Sequence, residues 1–169
     1  MLTVGIISQV EGRPTPKTNF FAADSPNIHY TGRIDFADAK KPRCWAPGVC
    51  FTVRFQGPNC EVDITDEVLY GTSHNYVEIV VDGILSQRQL AGKTNTLMVA
   101  QVLPDAPHGP TICKNTEAGI GYLKFTGLSC AELLAPQNPS DNQACFLRAE
   151  KIAHAYPQGV VGYAQYPVK

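Results

Sequence analysis

The chain has 169 residues and a formal net charge of −1, with 44% hydrophobic and 17% charged residues. That is one domain's worth of chain, long enough to bury a core and too apolar for a disordered protein. With no basic run, nothing in it points to nucleic acid or an anionic membrane as a partner, and no stretch approaches the about 18 apolar residues of a membrane span.

The start, MLTVGIISQVEGRP, has neither a basic leader nor a small-residue cleavage site, so residues 1–25 read as an N-terminal arm and not as a signal peptide. Thirteen prolines and fourteen glycines favour short strands and turns over long helices. Alternation with a period of two then takes over. In IHYTGRIDF (28–36), Ile28, Tyr30, Ile34 and Phe36 share one face, while His29, Thr31, Arg33 and Asp35 share the other. Val49, Phe51, Val53 and Phe55 alternate with Cys50, Thr52 and Arg54. QGPN (56–59) is expected to turn the chain, after which Cys60, Val62 and Ile64 point inward and Glu61, Asp63 and Thr65 outward, so the two runs read as a hairpin. The strongest local signal is NYVEIVVDGILSQRQL, where Asp82-Gly83 suits a type I′ turn between two strands. Further strands are expected at 95–103, 110–115 and 121–133. About eight strands with short turns predict an all-β antiparallel sandwich or barrel over residues 26–134. Residues 135–169 read as a linker and tail, with a short helix at 144–156 ended by Pro157.

The chemistry is sparse. Six cysteines (44, 50, 60, 113, 130, 145) contain no CxxC pair and no zinc-like Cys/His spacing, so no metal site is expected; they allow 15 pairings, and free thiols are equally open. GTSHN (71–75) sets Ser73 beside His74, but the second glycine of a nucleophile elbow is missing. The histidines at 29, 74, 108 and 154 are isolated, and no glycine loop cradles a phosphate, so the sequence assigns no catalytic residue and no cofactor. Glu61, Asp63 and Thr65 line one face, where a solvated surface outweighs calcium binding. Trp45, with Tyr30 and Tyr76, is the candidate sugar-stacking set, although aromatics at strand positions more often belong to a core or its rim.

The segments YTGRIDF, WAPGVCFTVRFQGPNCEVDITDE, NYVEIVVDG, HGPTICKNTEA and KFTGL, in that order, resemble the N-terminal domain of carbohydrate esterase family 2. The likeness covers about residues 26–134, with Gly32-Arg33, Trp45, Asp82-Gly83, His108 and Thr116-Glu117 as matching positions. It implies a jelly-roll β-sandwich that precedes a separate SGNH-type hydrolase domain, which removes acetyl groups from polysaccharides such as xylan and glucomannan. Family members are often extracellular; the sequence itself leaves the compartment open. The resemblance implies a serine in a Gly-Asp-Ser motif soon after the sandwich, and this sequence holds no Gly-Asp-Ser, so no catalytic residue carries over.

The favoured expectation is a non-catalytic module, structural or binding plant cell-wall polysaccharide or an SGNH-type hydrolase domain. The alternative is an esterase acting on acetyl groups of xylan or glucomannan, with a separately supplied active site or a non-standard one built from Ser73 with His74 or His108. Arg33 is expected to pair with a carboxylate, Glu117 first and Asp35 second, and to tie two strands together. An exposed apolar patch is expected at the C-terminal end of the sandwich, covered in part by Val160, Val161, Tyr163 and Tyr166.

Overall fold

The computed structural model describes residues 18–136. Two antiparallel sheets face each other as a jelly-roll sandwich. The first has the order β1 (Asn19–Ala22), β11 (Leu123–Leu134), β5 (Arg54–Asp66), β8 (Thr94–Ala100), with β3 (Arg43–Cys44) added to β11 and β9 (Pro107–His108) to β5. The second runs β2 (His29–Thr31), β4 (Cys50–Thr52), β10 (Thr111–Lys114), β6 (Tyr76–Val81), β7 (Ile84–Gln89). The expected strands at 95–103, 110–115 and 121–133 are β8, β10 and β11. The count exceeds eight because two- and three-residue segments pair wherever a longer strand offers a free edge.

Alternation puts one face of each sheet into the core. Phe55, Val62, Ile64, Phe125 and Leu128 enter from the first sheet and Phe51, Val77, Ile79 and Ile112 from the second, all buried. Phe51 and Phe125 stack with centroids 4.1 Å apart and join the two layers. Each such side chain contributes about 1.5–3 kcal/mol by leaving water. The β6–β7 hairpin forms as its sequence predicts, with Asp82 at φ 49° and Gly83 at φ 84°.

Two expectations are corrected. QGPN does not turn the chain, because β5 runs through it. Gly57, at φ 112°, donates its N–H to Ala106 O, and the inward parity shifts from Phe55 and Gly57 to Cys60, Val62 and Ile64. The change of direction lies at Val53, where the chain leaves β4 in one sheet for β5 in the other, so these runs are not a hairpin. IHYTGRIDF is likewise interrupted. The strand stops at Thr31, Gly32 takes φ 104° with Val49 packed against it, and Asp35 bridges Arg43 instead.

Ahead of residue 26, β1 already pairs with β11 through Phe21↔Leu128 and Ala22↔Gly127. The approach is so close that a Cβ on Gly127 would stand 2.5 Å from Phe21 O. The expected helix at 144–156, Cys145 and the covering residues Val160, Val161, Tyr163 and Tyr166 lie outside the described residues. Among the described residues no helix is long and apolar enough to cross a membrane.

Candidate functional site

One end of the sandwich holds a buried polar knot. Asp66 ends β5 on the inward parity of Val62 and Ile64, Asn75 precedes β6 on the parity of Val77 and Ile79, and Lys114 follows Ile112 on β10. All three are buried, at 0%, 0% and 2% exposure. Asp66 accepts from Asn75 twice, through the backbone N–H at 3.1 Å and Nδ2 at 2.7 Å, and its Oδ2 lies 3.3 Å from His74 Nδ1. Asn75 Oδ1 accepts from the Thr116 hydroxyl. Lys114 Nζ donates to Thr116 O at 2.5 Å, Thr116 Oγ1 at 3.1 Å and Glu117 O at 3.2 Å. Burial pulls the Lys114 pKa down to about 8, against the raising influence of Cys44, Asp66 and Glu117. The same burial pushes the Cys44 thiol up to about 11.

Beside the knot lies a half-exposed cluster of aromatics and cations. Trp45 meets Tyr122 edge-on at 5.5 Å; the Arg43 guanidinium stands 5.3 Å from Trp45 and 5.9 Å from Tyr122, and Lys124 Nζ 5.4 Å from Tyr122. Glu67 Oε2 accepts from the Tyr122 N–H at 2.9 Å and holds this strand end in place. Of the three candidate sugar-stacking residues, the structure joins no two by a ring contact among the described residues. Tyr30 packs on Phe36, Phe51 and Phe125 while its hydroxyl donates to Ala23 O at 2.7 Å. Tyr76 sits on β6 of the same sheet as Tyr30, whereas Trp45 follows β3 of the other sheet.

The expected charge pair also resolves differently. Asp35 takes Arg43, whose Nε and Nη2 donate to Oδ2 at 3.1 and 2.6 Å. Arg33 and Glu117 are exposed and form no ion pair among the described residues. The Gly32 turn breaks the strand that was to carry Arg33 toward Glu117, and β3 brings Arg43 to Asp35 first.

Candidate catalytic groups fall into two places. His74 is oriented by Asp66, as a general base is, but the Ser73 hydroxyl makes no hydrogen bond to its ring. His108 lies at the opposite end, with Nδ1 2.5 Å from Asp82 Oδ2 and Nε2 2.9 Å from Pro104 O. Both ring nitrogens face acceptors. Burial lowers the His108 pKa, but the Pro104 carbonyl and the Asp82 carboxylate outweigh it, and the net shift is upward. β11 leads out of the sandwich at this same end, where Leu134 pairs with Arg54 and Leu133 with Phe55, the neighbour of His108 on β9.

Cys50 and Cys113 form a disulfide between β4 and β10 on the outer face; Cys44, Cys60 and Cys130 are buried thiols. No group of three or more His, Cys, Asp or Glu side chains gathers as a metal site among the described residues. Of the acidic row on β5, Asp63 Oδ1 accepts from the Thr96 hydroxyl at 2.6 Å.

Sequence reasoning passed over the knot, yet its signal was present: Asp66, Asn75 and Lys114 each prolong the inward parity of their strands. A polar residue at a core position needs a partner: Asp66 and Asn75 bond each other, and Thr116 links Asn75 to Lys114.

These features define an all-β jelly-roll module with its polar groups at the two ends of a closed core. Residues 30–138 match the family Carbohydrate esterase 2 N-terminal, and the chain belongs to that family. It is 29% identical over 136 residues to the cellulase/esterase CelE of Acetivibrio thermocellus, covering 79% of this chain and 16% of that protein. Among solved structures, a family two carbohydrate esterase from Clostridium thermocellum in complex with cellohexaose superposes with TM-score 0.59 at 28% identity, over 66% of this chain and 34% of that one. The Cellvibrio japonicus family two esterase gives 0.64 at 18% identity, over 72% and 36%. An acetyl xylan esterase from Butyrivibrio proteoclasticus gives 0.62 at 14%, over 72% and 34%. The last two share the fold. The chain thus spans about a third of the solved esterases and a sixth of the curated relative.

Proposed function

We propose that this chain is a non-catalytic β-sandwich module of an acetyl-polysaccharide esterase and seats an SGNH-type hydrolase domain. The observation that carries this reading is family membership together with coverage of only about a third of each solved esterase. The seat is the end where β11 leads out. There the His108–Asp82 pair pins the β6–β7 turn to β9, and Ile84, Leu85 and Val102 are exposed at 76%, 54% and 83%. Exposed apolar residues around a chain exit suit a contact with a second domain. Plant cell-wall polysaccharide is the substrate class of the assembled enzyme, and Trp45, part-exposed against Tyr122, is the residue of this module that offers it a ring.

The test has two arms. The purified chain alone is assayed on acetylated xylan and on a chromogenic acetate ester, with no turnover expected. Calorimetry then measures its binding to an SGNH-type hydrolase domain produced without its own sandwich, where binding that weakens in an I84S/V102S variant is expected. The alternative reading, an esterase with a non-standard site, draws on Asp66–His74 beside Ser73. Turnover that survives purification and disappears in Ser73→Ala would establish that reading and overturn the first.

A further inference from the structure

Cys60 on β5 and Cys130 on β11 stand directly opposite each other in the antiparallel register. Opposed residues share one face of a sheet, and both side chains are 0% exposed within the same apolar core. Such residues have Cα atoms about 4.5–5.5 Å apart, inside the about 4.4–6.8 Å that a disulfide spans. The equivalent arrangement in the other sheet, Cys50 opposite Cys113, is bonded with a Cα separation of 4.1 Å. Register irregularities border the pair on both strands, after Cys60 against β8 and between Cys130 and Glu132 against β5. Bulges bend and twist a strand locally, which gives these two side chains room to approach. Nor does Cys60 have a strong competing partner, since its Sγ makes only a long 4.0 Å contact to Glu61 O.

We propose that Cys60 and Cys130 are a second disulfide site, closed by exchange with a small-molecule disulfide while β5 and β11 pair during folding. One cysteine, as its thiolate, attacks a sulfur of the small disulfide, forms a mixed disulfide and releases one small thiolate. The other cysteine's thiolate then attacks the protein sulfur of that mixed disulfide and releases the second small thiolate. Two protein thiols are oxidised to one S–S bond, the small disulfide is reduced to two thiols, and the protons pass to the leaving thiolates. After folding, burial keeps both groups in the unreactive thiol form: it pushes Cys130 up to about 11 and Cys60 higher still, the latter with the charge of Cys130 as a second cause. The bond is therefore made at the folding stage or hardly at all.

The chain is unfolded in guanidinium with reductant and refolded in a mixture of oxidised and reduced glutathione. Peptides are then mapped by mass spectrometry without reduction, and free thiols are titrated in denaturant. The expected result is a linked peptide pair carrying Cys60 and Cys130 beside the one carrying Cys50 and Cys113, with free thiols falling from six in the reduced chain to two. The guanidinium midpoint should also exceed that of a C60V/C130V variant refolded in the same way. Refolded protein with Cys50–Cys113 closed and both Cys60 and Cys130 alkylated would overturn the proposal, as would linkage of either to another cysteine. If the double variant fails to fold, the wild-type peptide map still decides.

Discussion

Lys114 tests the buried knot without any ligand being known. Its ammonium is 2% exposed, and burial brings its pKa down to about 8, whereas an unfolded lysine titrates near about 10.4. Below both values the group is protonated in both states and contributes no pH dependence. Between about pH 8 and 10 the unfolded chain holds the proton and the folded protein releases it, so stability rises with pH. One differential proton gives at most about 1.4 kcal/mol per pH unit, and a group half-titrated at pH 8 gives about 1 kcal/mol between pH 8 and 9. The buried thiols act in the opposite direction. Cys44 and Cys130, pushed up to about 11, stabilise the fold below the ordinary thiol value and lose that contribution as pH rises toward their folded values. The readout is therefore the difference between the wild type and Lys114→Met, which keeps the thiols and most of the volume. Urea unfolding followed by circular dichroism at pH 7, 8 and 9 should show this difference growing by about 1 kcal/mol in the wild type's favour from pH 8 to 9. The absolute offset mixes lost hydrogen bonds with relieved desolvation and is not the measurement. Parallel curves across this range would refute a Lys114 whose pKa burial has brought down to about 8.

Three further outcomes are expected. Gly127→Ala, at φ 153° with the new Cβ 2.5 Å from Phe21 O, should detach β1 and speed proteolysis around residues 19–22; unchanged protection there would contradict the close approach. Arg43→Ala, which removes a part-exposed pair with Asp35 and the ring contacts to Trp45 and Tyr122, should cost about 1–2 kcal/mol in urea unfolding, and Arg33→Ala within ~0.5 kcal/mol; a larger loss at Arg33 than at Arg43 would reverse the assignment. Replacing both Cys50 and Cys113 by alanine opens a link of sequence separation 63, for which loop closure predicts a loss of about 4 kcal/mol in guanidinium unfolding, and an unchanged midpoint would refute that role.

The all-β class, the inward faces of β6 and of β5 from Cys60 to Ile64, and the Asp82-Gly83 hairpin follow from the sequence by itself, because each rests on contacts between near neighbours. Period two places Val62 and Ile64 or Val77 and Ile79 on one face whatever the strands pair with, and Asp-Gly takes positive φ in its own turn. Family membership was likewise readable from the order of short segments. Tertiary structure alone decided which strands are neighbours. QGPN carries every local mark of a turn, yet β11, β8 and β9 pair along both sides of β5, and these hydrogen bonds outweigh the local preference of Gly57 and Pro58. The partner of Asp35 depended on β3 arriving beside it, and which cysteines face each other depended on the register of distant strands. The knot stands between the two cases. Parity marked Asp66, Asn75 and Lys114 as inward polar residues, but only the packing of three strand ends around one point linked them, through Thr116, because Asn75 and Thr116, 41 residues apart in sequence, meet only when the core closes.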